Sequence, residues 1–192
     1  MVVFVTWDII FTHLGYWFFN PVYNSGIYIN KLPLEEYLFF LVIPYACAFS
    51  FYAVQFHFSK FKCNLQWTKI LIILIVVVSV CMSVLYRNVS YTFVASLVLP
   101  VMLLLSYYFA REVVQYYLAI YPILLIPFFI INGILTGTGI EEAVFDYHPE
   151  AIMGIRILSI PIEDMIYNFS LLLMPLALTY IFEKRATKTK HI

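Results

Sequence analysis

Two pairs of adjacent carboxylates stand in near-copies of one short motif: Glu35 and Glu36 in "LPLEEYLFF" (32–40), and Glu163 and Asp164 in "IPIEDMIYN" (160–168). Each pair follows a proline and opens an apolar run, and the copies lie 128 positions apart. A protonated carboxyl can give a proton and a neighbouring carboxylate can take one back, so paired acids in apolar surroundings suit acid–base work on a substrate. One copy has an ordinary structural reading, because proline in the first turn followed by an acid complements the helix dipole and marks a helix start. Two copies in one register, on parallel helices entering from the same face, bring four carboxylates to one depth and favour a site. Helix neighbours lie about 100° apart, so one acid of each pair is expected to face inward. A buried pair can settle with one acid protonated and the other ionised.

The elements that hold these acids are read from composition. The chain has 192 residues, 64% of them hydrophobic, 19% aromatic and only 11% charged. That is far from a soluble globular domain and predicts an integral membrane protein. A span needs roughly 20 apolar residues. Such runs occur at about 35–57, 68–86, 91–110, 116–135 and 162–183, with a shorter one at 1–12. The fold class is therefore all-α, a polytopic bundle of six segments with the first one short. Runs such as "ILIILIVVVSV" (70–80) are continuously apolar, which disfavours a membrane β-barrel. No polar n-region and cleavage site precede the first segment, so it reads as structural. Its shortness suggests an architecture whose leading helix is absent.

Net charge is zero, but its distribution is uneven. Lys60, Lys62, Lys69, Arg111, Lys184, Arg185, Lys188 and Lys190 fall on one side of the segments, and Lys31, Arg87 and Arg156 on the other. By the positive-inside rule the first side and the basic tail "EKRATKTKHI" are cytoplasmic, and both motifs open at the outer face of the cell or inner membrane. A nucleic-acid partner is not expected, because no basic domain accompanies the tail.

More than the motif recurs. At an offset of 128, Gly26 falls on Gly154 and Asn20-Pro21 on His148-Pro149; upstream, at 124, "DIIFTHLG" (8–15) matches "NGILTGTG" (132–139). Segments one and five, and two and six, thus read as two parallel-oriented internal repeats, with their axis along the membrane normal. The expected division is 1–57 as the first unit, 58–90 as a linker with a connecting membrane helix, and 91–192 as the second unit with its tail. Asp8 and Asn132 occupy equivalent places on the preceding helices and read as supports of the acids, as do Asn20, His148 and Asn168. Trp7, Trp17, Phe39, Phe40, Tyr45 and Tyr167 lie near the acids in sequence and are the candidate wall of an apolar pocket, where ring faces could stabilise a cation.

Other chemistry is disfavoured. Cys47, Cys63 and Cys81 show no ligand spacing, and His13, His57, His148 and His191 form no His-x-x-His or Glu-x-x-His pair, so no metal site is expected. Asn88-Val-Ser90 matches a glycosylation sequon in a very short loop and reads as chance.

The stretches "WDIIFTHLGYWFFNPVYNSGIYINKLPLEEYLFFLVIPYACAF" (7–49) and "NGILTGTGIEEAVFDYHPEAIMGIRILSIPIEDMIYNF" (132–169) resemble the two halves of the membrane-integral lycopene cyclase family. The resemblance implies cyclisation of lycopene ψ-ends to β-rings without flavin or other cofactor, with Glu35, Glu36, Glu163 and Asp164 as catalytic acids. Consistently, no dinucleotide-binding Gly-x-Gly-x-x-Gly occurs. The partners expected are a lipophilic carotenoid drawn from the bilayer and membrane lipids, with a homo-oligomer or partner subunit left open. Three other readings stand beside it: a membrane hydratase using the same acid step, a small transporter or proton channel, and a structural subunit that needs a partner chain.

Overall fold

A computed structural model describes residues 2–189, the side chains of Lys188 and Thr189 excepted; Lys190 and His191 of the basic tail lie outside the described residues. Six helices carry the chain. They are α1 (Val2–His13), α2 (Leu34–His57), α3 (Leu65–Leu85), α4 (Ser90–Phe109), α5 (Arg111–Leu135) and α6 (Ile162–Thr189). Five of them, α2 to α6, are long and apolar enough to cross a membrane. At 1.5 Å per residue the 12-residue α1 reaches about 18 Å, well short of a hydrocarbon core of about 30 Å. The all-α bundle with a short first helix is the observed architecture.

Apolar sequence makes these helices, and small or hydroxylated residues decide how they meet. Along α4 the buried face is Thr92, Ala95, Ser96, Leu99, Leu103 and Ser106, spaced three and four apart; α3 offers Thr68, Ile72, Ser79 and Ser83. Small side chains let helix backbones approach closely in lipid, and α4 packs between α3 and α6. Opposite faces remain apolar and exposed, as with Ile73, Leu74, Val77 and Val84 of α3. In a membrane chain such faces meet lipid.

Strands too short for a sequence period appear where only loops were expected. β1 (Trp17–Phe19) pairs antiparallel with β4 (Phe145–Tyr147), and Phe18 lies opposite Asp146. β2 (Tyr28–Ile29) with β3 (Leu32–Pro33), and β5 (Arg156–Ile157) with β6 (Ile160–Pro161), form two small hairpins. Their tips use left-handed backbone at Asn30, Lys31 and Leu158, and Gly26 and Gly154 take φ of +77° and +82° just upstream. All three strand pairs lie at one end of the bundle, where α2 and α6 begin.

Candidate active site

The hairpins set the rotation of the first turns of α2 and α6. Leu34 N donates to Ile27 O at 2.9 Å, and 128 positions on Ile162 N donates to Ile155 O at 3.1 Å. The first acid of each motif then turns back onto the preceding loop: Glu35 Oε1 accepts from Ser25 N at 2.8 Å, and Glu163 Oε1 from Met153 N at 2.7 Å. Their surroundings differ. Glu35 is exposed, whereas Glu163 is sealed against α4, where it also accepts the Thr92 hydroxyl and keeps Oε2 unpartnered among the described residues. Removing that donor with Thr92→Val is expected to cost about 1–3 kcal/mol, seen as earlier thermal aggregation in detergent.

The second acid of each motif faces a cavity of about 580 Å³, its open mouth included, into which α1 and α5 also reach. Three carboxyls line it, Asp8, Glu36 and Asp164, together with the amides of Asn132 and Asn168. Asp164 is richly held. Tyr147 Oη donates to its carboxylate at 2.6 Å, Tyr91 Oη to Oδ1 at 2.9 Å, and Asn132 Nδ2 to Oδ2 at 2.8 Å. Three donors and no acceptor satisfy an ionised carboxylate. The opposite wall is poorer in donors: no hydrogen bond reaches Glu36 among the described residues, and Asp8 has the Trp17 indole as a donor while its Oδ2 is buried without a partner.

Aromatic rings complete the enclosure. Tyr91 and Tyr147 stack at 5.7 Å with 6° between planes, and Trp17 meets Tyr91 edge-on at 5.2 Å. Burial, followed by the charge and hydrogen bond of Asp164, pushes the Tyr147 phenol well above its ordinary value, so it stays a donor. Its strand is pinned from outside by Arg156, whose Nη2 lies 2.9 Å from Asp146 Oδ1 and whose guanidinium sits 5.8 Å from the Tyr147 ring.

Of the residues singled out in the sequence, the structure brings Asp8, Glu36, Asn132, Asp164, Asn168, Trp17, Phe39 and Tyr167 to this cavity. Glu35 and Glu163 hold loops instead. Asn20 and His148 stand at turns near the surface, where Asn20 Oδ1 accepts from Val22 N at 3.0 Å and His148 Nδ1 from Glu150 N at 3.3 Å. Trp7 packs behind the wall, 4.9 Å from the Tyr167 ring, and Phe40 is core. Tyr45 is 75% exposed on the outer side of α2. Tyr91, Tyr147 and Thr92 were not anticipated. Their one signal is position: Tyr91 and Thr92 open α4, and Tyr147 precedes the His148-Pro149 pair, at the same end as the acids.

The family model described as lycopene cyclase matches residues 1–54 and 88–182. The chain belongs to the lycopene cyclase family. No curated protein and no solved structure matches it. Every cavity residue of this lycopene cyclase family member lies within the matched stretches, while α3 lies wholly between them. Family membership makes the chain a membrane enzyme of the cyclase type in carotenoid biosynthesis.

Proposed function

We propose that the protein is a lycopene β-cyclase that isomerises acyclic ψ-ends to β-rings by acid–base catalysis without a cofactor. One observation carries this reading: a cavity with ring-lined walls holds a carboxyl that no donor reaches among the described residues, Glu36, with Asp8 beside it, across from a carboxylate with three donors, Asp164. Glu36, with Asp8 beside it, gives a proton to the terminal double bond of the substrate. The alkene electrons form the new C–H bond and leave a tertiary cation. The next suitably placed double bond attacks that cation, closes the ring and moves the positive charge onto a ring carbon. Asp164 removes a ring proton, and the electrons of that C–H bond become the ring double bond. One proton enters and one leaves, so the product is an isomer. The proton returns across the cavity to Glu36 before the next turnover.

Ring faces stabilise the cation, and dry walls keep water from capturing it as an alcohol. Reading 1–57 and 91–192 as parallel repeats joined through α3 is supported by the matching hairpins and by the matched acceptances of Glu35 and Glu163. Asp8 and Glu36 would then correspond to Asn132 and Asp164. The basic residues favour a cytoplasmic C-terminus and motif loops on the outer face. The test is pigment analysis of lycopene-accumulating cells expressing the chain. Conversion to an isomer of unchanged mass with ring-type absorption is expected. A product heavier by one water would make it a hydratase, and unchanged lycopene from well-expressed protein would remove the reading.

A further inference from the structure

A second cavity adjoins the first and runs away from it between α2 and α5. Phe39, Phe128, Asn132 and Asn168 line both, so the two spaces adjoin across these four side chains. From Phe39 one face of α2 follows the groove through Ile43, Ala46, Cys47 and Ser50, a run of about 16 Å at 1.5 Å per residue. Leu124, Pro127 and Ile131 of α5 face it. Leu124 is the buried floor, whereas Ala46, Ser50, Pro127 and Ile131 are exposed lips. The groove therefore opens sideways, between helices that cross the membrane. No charged residue lines it, and the Ser50 hydroxyl is taken up by Ala46 O at 2.9 Å. Its chemistry fits a long, uncharged hydrocarbon and offers little to a polar ligand.

We infer that this groove holds the conjugated chain of the acyclic carotenoid while one of its ends lies among Asp8, Glu36 and Asp164, and that substrate enters and leaves sideways from the bilayer between α2 and α5. The inference rests on the cyclase reading for the identity of its occupant. It adds a consequence: a single acid cavity at the end of the groove treats one end per visit, so the one-ring product leaves before the second ring is made.

Cys47 makes the groove accessible to experiment in the unaltered chain. It stands half-buried in the wall, while Cys81 of α3 is exposed outside it. Membranes holding the protein, with and without added lycopene, are chilled to slow turnover and treated with a lipophilic maleimide. Lycopene is expected to slow modification of Cys47 by about fivefold or more, as occupancy of a site requires, and to leave Cys81 unchanged. Equal rates at Cys47 overturn the groove. Conversion is read on the same membranes after warming. Conversion without protection keeps the cyclase and removes the groove; protection without conversion keeps the groove and removes the cyclase. A second arm places tryptophan at the lip. Ile131→Trp is expected to lower lycopene turnover by about tenfold or more by displacing the chain, while Val42→Trp on the exposed face of α2 leaves it unchanged. Full activity of Ile131→Trp overturns the inference.

Discussion

Asp164→Asn is expected to leave lycopene unconverted, with turnover lower by about 10²- to 10⁴-fold, the usual worth of a positioned base. The side chain keeps its size but loses the charge that three donors converge on. An amide there can still accept the Tyr91 and Tyr147 hydroxyls through one oxygen. Its NH₂ then meets the Asn132 NH₂, and two donors facing each other weaken the helix contact. Loss of activity could therefore be mistaken for loss of structure. The paired exchange Asn132→Asp with Asp164→Asn separates the two effects, because it restores a donor–acceptor pair between α5 and α6 while leaving the carboxylate on the wrong helix. The exchanged protein is expected to accumulate in membranes at the wild-type level and to remain inactive. An active Asp164→Asn, read as cyclised pigment per amount of protein, would remove Asp164 from the proton-abstracting role.

What the sequence could reveal follows from the range of each interaction. The spans were legible because twenty consecutive apolar residues have few other fates. Inward neighbours of the acids were legible at helical spacing: Tyr167 and Asn168 follow Asp164 by three and four residues, and Phe39 follows Glu36 by three. The same rule explains why Tyr45 faces away, since nine residues beyond Glu36 is two and a half turns and lands on the opposite side. Tyr91 and Tyr147 could not be found this way. They reach Asp164 across 73 and 17 residues, through helix packing and a strand that have no local pattern. Nor could spacing tell which acid of each pair turns inward. That depends on the rotation of α2 and α6, which the two-residue hairpins fix through Leu34 and Ile162.

Glu36→Gln and Glu35→Gln, one residue apart, are accordingly expected to differ by orders of magnitude. Glu36 lines the cavity and has no donor holding it, so it is the group free to carry and release a proton; its amide cannot, and cyclisation is expected to fall by about 10²- to 10⁴-fold. Glu35 is exposed and serves by accepting Ser25 N, a bond that glutamine also accepts, so Glu35→Gln is expected to cyclise lycopene as the wild type does. The measurement is pigment conversion at matched protein levels in the same cells. Equal loss in both variants would mean that the hairpin contact rather than the inward carboxyl matters. Equal activity would mean that Asp8 alone supplies the proton. Asp8→Asn decides the remaining step. The second half of the chain pairs an amide, Asn132, with its inward acid and so adds a donor that favours the carboxylate form of Asp164. Placing an amide at residue 8 would give Glu36 the donor it lacks and turn both walls of the cavity into bases. A cavity with two bases and no acid cannot begin the reaction, so Asp8→Asn is expected to lose activity while Glu36 is still present, because the carboxyl on α1, where α5 has an amide, is one of the differences between the two sides, beside the Tyr91 and Tyr147 hydroxyls that only Asp164 receives.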